Sequence, residues 1–457
     1  MEEFIRNITD QIRCVRARES VAKELTDHIQ DQTAAYEESG VGHEEAVKRA
    51  VREMGDPVEI GLELDRIHRP QTDVRLIVMV FLFSLGGLMI QYIAGSLQTP
   101  SVNSQAVFLS QFGRQCLILL VSFGVMAGMY FLDYSFIGRY GMAIYISMTV
   151  LYFIASKTLR VVNGRIPAML MLVYLYVPVF AGILYRMRGN GYGAVLKSVG
   201  VQFLTAIFVY YFSGTVHAVF SVYLIQIVML ILAIRKKWFA VDRKAAIAMS
   251  VALLVVIPAL CVIIPMVTNP ESYDFRILRI IAWLNPSRYP TGAGYTYLWI
   301  RNELAQARMI GASGTNAFTG DYLYVWSAEW SDPFILLCIV CTYGILAGIA
   351  VILAFTILIV HAFRIVRQQK NQLGFMISAA CFMVFLFSCV EGVLISGGYY
   401  PVTSVQFPFL SSGVGATITY AVFIGLLLSI YRNEKIITDQ AVAGRPAWRL
   451  NIKLEKK

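Results

Sequence analysis

Long apolar runs dominate the chain after its first seventy residues. About 20 apolar residues cross a bilayer as a helix, because lipid offers no partner for an unpaired backbone group. Runs of this length predict ten spanning helices near 75–97, 114–132, 140–157, 167–185, 198–215, 217–234, 245–266, 333–361, 374–396 and 414–431. The predicted fold class is therefore all-α, a polytopic membrane protein with about ten transmembrane helices.

The first seventy residues have a different pattern, in which helical periodicity is combined with charged faces. We predict three short helices there: Val21 to Glu38, a second from His43, and a third opened by Gly55-Asp56-Pro57. Residues 1–70 carry a net charge of −6, whereas the remainder carries +16. The prefix resembles the permease prefix domain of bacterial membrane proteins. That resemblance implies a cytoplasmic contact or regulatory module, and a folding or targeting appendage is the alternative.

Lysine and arginine are distributed unevenly among the loops, which predicts an orientation. With a cytoplasmic N-terminus, the inner loops carry most of the cations, as the positive-inside rule requires. Both termini are then cytoplasmic, and a long polar segment at 267–332, between helices 7 and 8, is exterior. We predict three regions: the prefix 1–70, a membrane domain 71–432 and a basic cytoplasmic tail 433–457. The N-terminus is charged, so no cleavable signal peptide is expected.

The composition agrees with a chain that lies mostly in lipid and excludes several other classes. Hydrophobic residues make up 57% and charged residues 15%, against roughly 25% charged in soluble domains. The cations lie in short loops between spans, so nucleic acid is not an expected partner. The seven cysteines are scattered, and Cys338 and Cys341 lie inside a predicted span, which favours apolar packing over a redox pair. The five histidines show no metal-ligand spacing.

The exterior segment concentrates the groups that can do chemistry. It holds six of the thirteen acidic residues that follow residue 70. Asp321 follows the small residues of 311–314 and 319–320 and precedes an aromatic run. A carboxylate at interfacial depth is partly desolvated, which raises its proton affinity and suits a general base. A solvated loop aspartate is the alternative.

Two further features lie near the last spans. Residues 400–415 combine two prolines, several small residues and no charge, which predicts a re-entrant or broken-helix element that lines a cavity. Glu391 lies inside the predicted ninth span, where an ionisable side chain costs about 3 kcal/mol or more unless it faces a cavity or a partner. We expect a functional role for Glu391, paired with an exterior arginine. A protonated packing residue is the alternative.

Motifs in the exterior segment and before the last span resemble one family. They are Arg279 through Trp283, Asn285-Pro286, Gly294-Tyr295, Gly311-Ala312-Ser313-Gly314, Thr319-Gly320-Asp321-Tyr322, Ala328-Glu329, Pro401-Val402-Thr403 and 407–413. In this order and topology they are similar to the SEDS family, the FtsW/RodA/SpoVE proteins of division, elongation and sporulation. The resemblance covers about residues 75–432 and is strongest from 276 onward.

The resemblance implies a peptidoglycan glycosyltransferase that polymerises lipid II at the outer face of the bacterial plasma membrane. The family's essential aspartate corresponds to Asp321, which would accept the proton of the attacking sugar hydroxyl. Arginines or a divalent cation (Mg²⁺ or Mn²⁺) would offset the charge on the departing pyrophosphate. The expected partners are lipid II, the nascent glycan, a class B penicillin-binding protein and other morphogenetic proteins. The candidate substrate-binding residues are Arg165, Arg276, Arg279, Arg288, Arg301 and Glu391.

The chain also departs from the family pattern. Of the family's motif between the third and fourth spans, only Asn163-Gly164-Arg165 is similar, and Ser213-Gly214-Thr215 stands where a Pro-Asp-x-Gly-Thr pattern is expected. Two alternatives to the enzyme therefore stay open. One is a transporter of lipid-linked precursor, and the other is a catalytically degenerate membrane scaffold of the cell-wall machinery.

Overall fold

The computed structural model describes residues 1–97, 102–159, 166–268, 278–313, 334–401, 406–411, 413–434 and 436, and these are helical wherever they are regular. The chain divides into two compact units. One comprises Met1–Thr72, Gln369–Gly374 and the described residues from Ile430, and the other comprises Asp73–Gln368 and Phe375–Ser429. The limits predicted for the three regions stay a prediction.

The prefix contains four helices where three were predicted: α1 (Glu2–Gln11), α2 (Val15–Glu38), α3 (His43–Met54) and α4 (Pro57–Ile67). The predicted boundary at 55–57 is confirmed, because Gly55 has φ +94° after α3 and the Asp56 carboxylate accepts from Val58 N–H before α4. The helix missed in the sequence, α1, packs on α4. A side chain at Gly61 would lie 2.7 Å from the Ile8 carbonyl.

The membrane part begins with α5 (Val74–Leu97). It continues through α6 (Val102–Phe131), α7 (Ser135–Thr158), α8 (Met169–Leu172), a 3-10 turn (Val173–Leu175), α9 (Tyr176–Arg186), α10 (Gly191–Ser213), α11 (Val216–Arg235) and α12 (Arg243–Thr268). The exterior segment contributes α13 (278–284) and α14 (Tyr295–Gln306). After it come α15 (Ile335–Tyr343), α16 (Ile345–Gln368), α17 (Gln372–Ser396) and α18 (Val414–Arg432).

Helix length and hydropathy support the predicted class. Within the described residues, nine helices are long and apolar enough to cross a membrane. The multi-pass all-α prediction is confirmed, and α12 lies where the seventh span was predicted.

Two short connections explain where the helices end. Gly214 has φ +65° and closes α10, and the Thr215 hydroxyl then accepts from Ala218 N–H to start α11. The predicted hairpin is therefore confirmed. The prediction of one continuous span over 333–361 is wrong: Gly344, with φ +98°, separates α15 from α16. A positive φ is inexpensive only for glycine, so the helix breaks at this residue.

Residues 406–411, in the segment between α17 and α18, pack against the bundle, whereas the cavity predicted for this segment stays a prediction. Gln91 Nε2 donates to the Leu410 carbonyl at 2.6 Å, and a side chain at Gly87 would collide with the Phe409 carbonyl. Phe409 has φ +61°, a conformation that a non-glycine residue keeps only when its surroundings impose it. This part of the segment therefore packs against α5, with backbone groups satisfied by a neighbouring helix.

Candidate functional site

Three described elements build the base of the exterior segment: α13, a 3-10 turn (Pro286–Arg288) and α14. Trp299 is fully buried in α14, and its ring lies 6.0 Å from the ring of Phe334 at an edge-to-face angle. This aromatic contact attaches α14 to the beginning of α15. The segment therefore has a packed foundation on the membrane helices.

The break at Gly344 receives the chain that leaves α14. Gly311 N–H donates to the Tyr343 carbonyl at 3.0 Å, and Ser313 N–H donates to the Cys341 carbonyl at 2.8 Å. In return, Ile345 N–H donates to the Arg308 carbonyl at 2.9 Å. The hydrogen-bonding groups at the helix end and the following turn thus pair with residues 308–313, which fixes the point from which the chain continues to residue 314.

Glu303 is a buried carboxyl at this base that the sequence analysis did not single out. It is 3% exposed, and Oε1 has no hydrogen-bond partner among the described residues. Burial raises the pKa of Glu303, since the charged form loses its hydration. The residue lies on the face of α14 that carries Trp299 and Ile300, so helical spacing was a signal that could have found it.

A second group of polar side chains lies where α11 begins and α17 ends. We call His217, Ser221, Glu391 and Tyr400 the polar cluster. Glu391 is 3% exposed, and its Oε1 lies 3.3 Å from His217 Nε2. The Tyr400 hydroxyl lies 3.4 Å from His217 Nδ1, and the two rings meet edge to face. The Ser221 hydroxyl donates to the His217 carbonyl at 2.9 Å.

Glu391 has an ion-pair partner on a neighbouring helix, and its expected pairing with an exterior arginine stays a prediction, because Arg165 and Arg276 lie outside the described residues. Among the described residues its ion-pair partner is His217, on a different helix, and no exterior arginine is paired with it. The contact between His217 Nε2 and Glu391 Oε1 is an ion-pair contact that does not meet hydrogen-bond geometry. Desolvation and the negative charge of Glu391 raise the pKa of Tyr400, which keeps the phenol neutral and able to donate. Tyr174 also lies close to Ser221 and Glu391.

The base of the exterior segment and the polar cluster are adjacent. A methyl group at Gly398, two residues before Tyr400, would lie 3.4 Å from Ile300 Cγ2 on α14. Gly398 has φ +72°, so the chain turns there and leads to Tyr400. A buried carboxylate, an imidazole and a phenol therefore lie next to the helix that supports the exterior segment. This arrangement offers donors and an acceptor for a polar ligand.

The other candidate residues are distributed less compactly. Asp321, Arg165 and Arg276 lie outside the described residues. Arg279, Arg288 and Arg301 are exposed on the elements at the base of the exterior segment. Arg288 lies 5.9 Å from the ring of Tyr289.

A divalent cation would need several oxygen or nitrogen ligands in one place. In the part of the chain that the structure describes, no group of three or more histidine, cysteine, aspartate and glutamate side chains is placed to hold a metal ion. Glu391 and His217 supply two candidate ligands. The described residues alone therefore do not form a metal site.

Comparison with known proteins decides the family. The family sequence model of the FtsW/RodA/SpoVE cell cycle proteins matches residues 73–436 of this chain. The chain belongs to this family. Among relatives, "Probable peptidoglycan glycosyltransferase FtsW" of Trichlorobacter lovleyi is 28% identical over 163 residues, which cover 35% of this chain and 42% of the relative. Stage V sporulation protein E of Bacillus subtilis is 24% identical over 164 residues, 36% of this chain and 44% of the relative.

These alignments cover less than half of each relative's own length. Comparison with solved structures shows that the similarity of fold covers most of this chain. A chain of a peptidoglycan synthase complex superposes with a TM-score of 0.58 at 16% identity, covering 79% of this chain and 98% of that one. The fold of the membrane part is thus the multi-pass helical fold of the FtsW/RodA/SpoVE family.

Proposed function

We propose that the protein is a peptidoglycan glycosyltransferase that uses lipid II as substrate. The observation that carries the proposal is the family match over residues 73–436, which includes the exterior segment and the polar cluster. The relative from Trichlorobacter lovleyi bears the name of such an enzyme. The proposed location is the bacterial plasma membrane, with cytoplasmic termini and a class B penicillin-binding protein as partner.

The reaction assigns distinct tasks to the candidate residues. A sugar hydroxyl attacks the anomeric carbon of a lipid-linked sugar, so a carbon–oxygen bond forms as the bond to the pyrophosphate oxygen breaks. Asp321 accepts the hydroxyl proton, and the pyrophosphate leaves with the electron pair and its negative charge. Arg165, Arg276, Arg279, Arg288 and Arg301 are the proposed cations for that charge. Glu391, His217 and Tyr400 would bind polar groups of the substrate.

A divalent cation, if bound, would supply charge neutralisation at the leaving pyrophosphate. Glu391 and His217 are too few to hold it by themselves. The roles given to Asp321 and to the arginines need no metal. The cation requirement is therefore a separate arm of the experiment, measured with and without Mg²⁺ or Mn²⁺.

The test measures polymerisation of labelled lipid II by purified full-length protein, alone and with a class B penicillin-binding protein. Replacing Asp321 by Asn should lower the rate by about 10²- to 10⁴-fold, the usual contribution of a general base. Asp332→Asn is the matched control, because it removes a carboxylate from the same segment and should leave the rate near that of wild type. Thermal unfolding of all three proteins verifies that they are folded.

The same experiment separates the alternatives. Polymer from wild type and from Asp321→Asn in equal amounts would refute the assignment of the base. No polymer from folded wild type with its partner would favour a scaffold. Translocation of labelled precursor across liposomes, unaffected by Asp321→Asn, would favour a transporter.

A further inference from the structure

A groove lies between the beginning of α5 and the end of α16, and its lining contains no residue of the exterior segment. Its volume is about 670 Å³, within the range of about 300 to 1,000 Å³ of ligand pockets. The residues that line it include Arg75, Val78, Met79, Ile357, Val360 and Arg364. These lie at helical spacings of three and four residues, so each helix contributes one continuous face.

The long walls of this groove are apolar and exposed. Val78 is 47% exposed, Ile357 is 63% exposed and Val360 is 44% exposed. Both helices are long and apolar enough to cross the membrane, so these side chains lie at the depth of lipid chains. Hydrocarbon is therefore the medium that covers the walls, and a lipid chain can lie along them.

One end of the groove is cationic. Arg75 and Arg364 line it and are exposed, and among the described residues no carboxylate pairs with either guanidinium. The nearby carboxylate of Asp73 is already engaged: Oδ2 lies 2.7 Å from His361 Nε2, and Oδ1 accepts from Leu76 N–H at 3.0 Å. The Asp73–His361 pair holds α5 against α16 and leaves the two arginines to attract an anion.

We propose that this groove binds an anionic phospholipid of the surrounding membrane. The phosphate lies between the guanidiniums of Arg75 and Arg364, whose planar forks match phosphate oxygens, and an acyl chain follows Val78, Ile357 and Val360. Basic pockets between transmembrane helices are known to bind such headgroups. The site is independent of the proposed glycosyl transfer. Its occupancy depends on how much anionic phospholipid the membrane contains.

The test counts lipids retained by the full-length protein in native mass spectrometry. The protein is taken from nanodiscs of phosphatidylethanolamine that contain either phosphatidylglycerol, cardiolipin or neither. Wild type should retain one anionic lipid in preference to phosphatidylethanolamine. The double variant Arg75→Gln/Arg364→Gln should lose about 30-fold in that preference, since each cation near an anionic headgroup contributes roughly a factor of five.

Matched controls make the outcome specific. Arg243→Gln/Arg367→Gln removes the same charge from exposed positions outside the groove and should keep the preference. Val360→Trp keeps both arginines and fills the apolar wall, so it should weaken lipid retention but not binding of inorganic phosphate. The proposal would be overturned if both double arginine variants lost the preference for anionic lipid equally. It would also be overturned if Val360→Trp left lipid retention unchanged. Folding of each variant is verified by its thermal unfolding temperature.

Discussion

The buried pair of Glu391 and His217 allows a quantitative prediction. A protonated His217 would attract the Glu391 carboxylate by about 5 kcal/mol at the separation of 3.3 Å and an effective dielectric constant of about 20. The Glu391 side chain is 3% exposed, so water can solvate its carboxylate only weakly when the imidazole is removed. We expect His217→Ala to lower the free energy of unfolding by about 3–5 kcal/mol, the usual result of leaving one member of a buried pair.

The assay is a double-mutant cycle on purified protein in mixed micelles, followed by equilibrium unfolding. Glu391→Gln removes the charge and keeps the shape, so the double variant His217→Ala/Glu391→Gln should be more stable than His217→Ala alone. That rescue is the specific signature, because a cavity left by the imidazole would remain in both proteins. Additive effects within about 0.5 kcal/mol would refute the reasoning, since they would mean that the two residues do not interact.

Two further predictions concern the base of the exterior segment. Gly344→Ala should lower the free energy of unfolding by about 1–3 kcal/mol, because φ is +98° and a methyl group would lie 2.7 Å from the Met309 carbonyl. Gly86→Ala, in a helix with open space around it, is the control and should be neutral or slightly stabilising, and thermal unfolding compares the two. For Glu303 the raised folded-state pKa means that the native state binds the proton more tightly, so lowering the pH from 7 towards 4.5 should stabilise wild type relative to Glu303→Gln. A stability difference between these two proteins that does not change with pH would contradict the assignment.

Local patterns were sufficient for much of the fold. The spans follow from the length of apolar runs, because an unpaired backbone group in lipid must be satisfied within its own helix. Neighbouring residues specify the boundaries at Gly55-Asp56-Pro57 and Ser213-Gly214-Thr215. At each of them a glycine with positive φ ends one helix and a side-chain cap starts the next. The sequence also predicted that Glu391, a charge inside a span, needs a partner.

The tertiary structure decided which residues meet. His217 and Glu391 are far apart in sequence, and their pairing depends on α11 packing near α17, which no local pattern specifies. The break at Gly344 also needed the fold, because its hydrogen bonds are completed by the Arg308 carbonyl and residues near it. Hydrophobic length therefore determined that the membrane part is helical and where most of its spans lie, whereas the break at Gly344 and the sites between helices come from packing over long sequence separations.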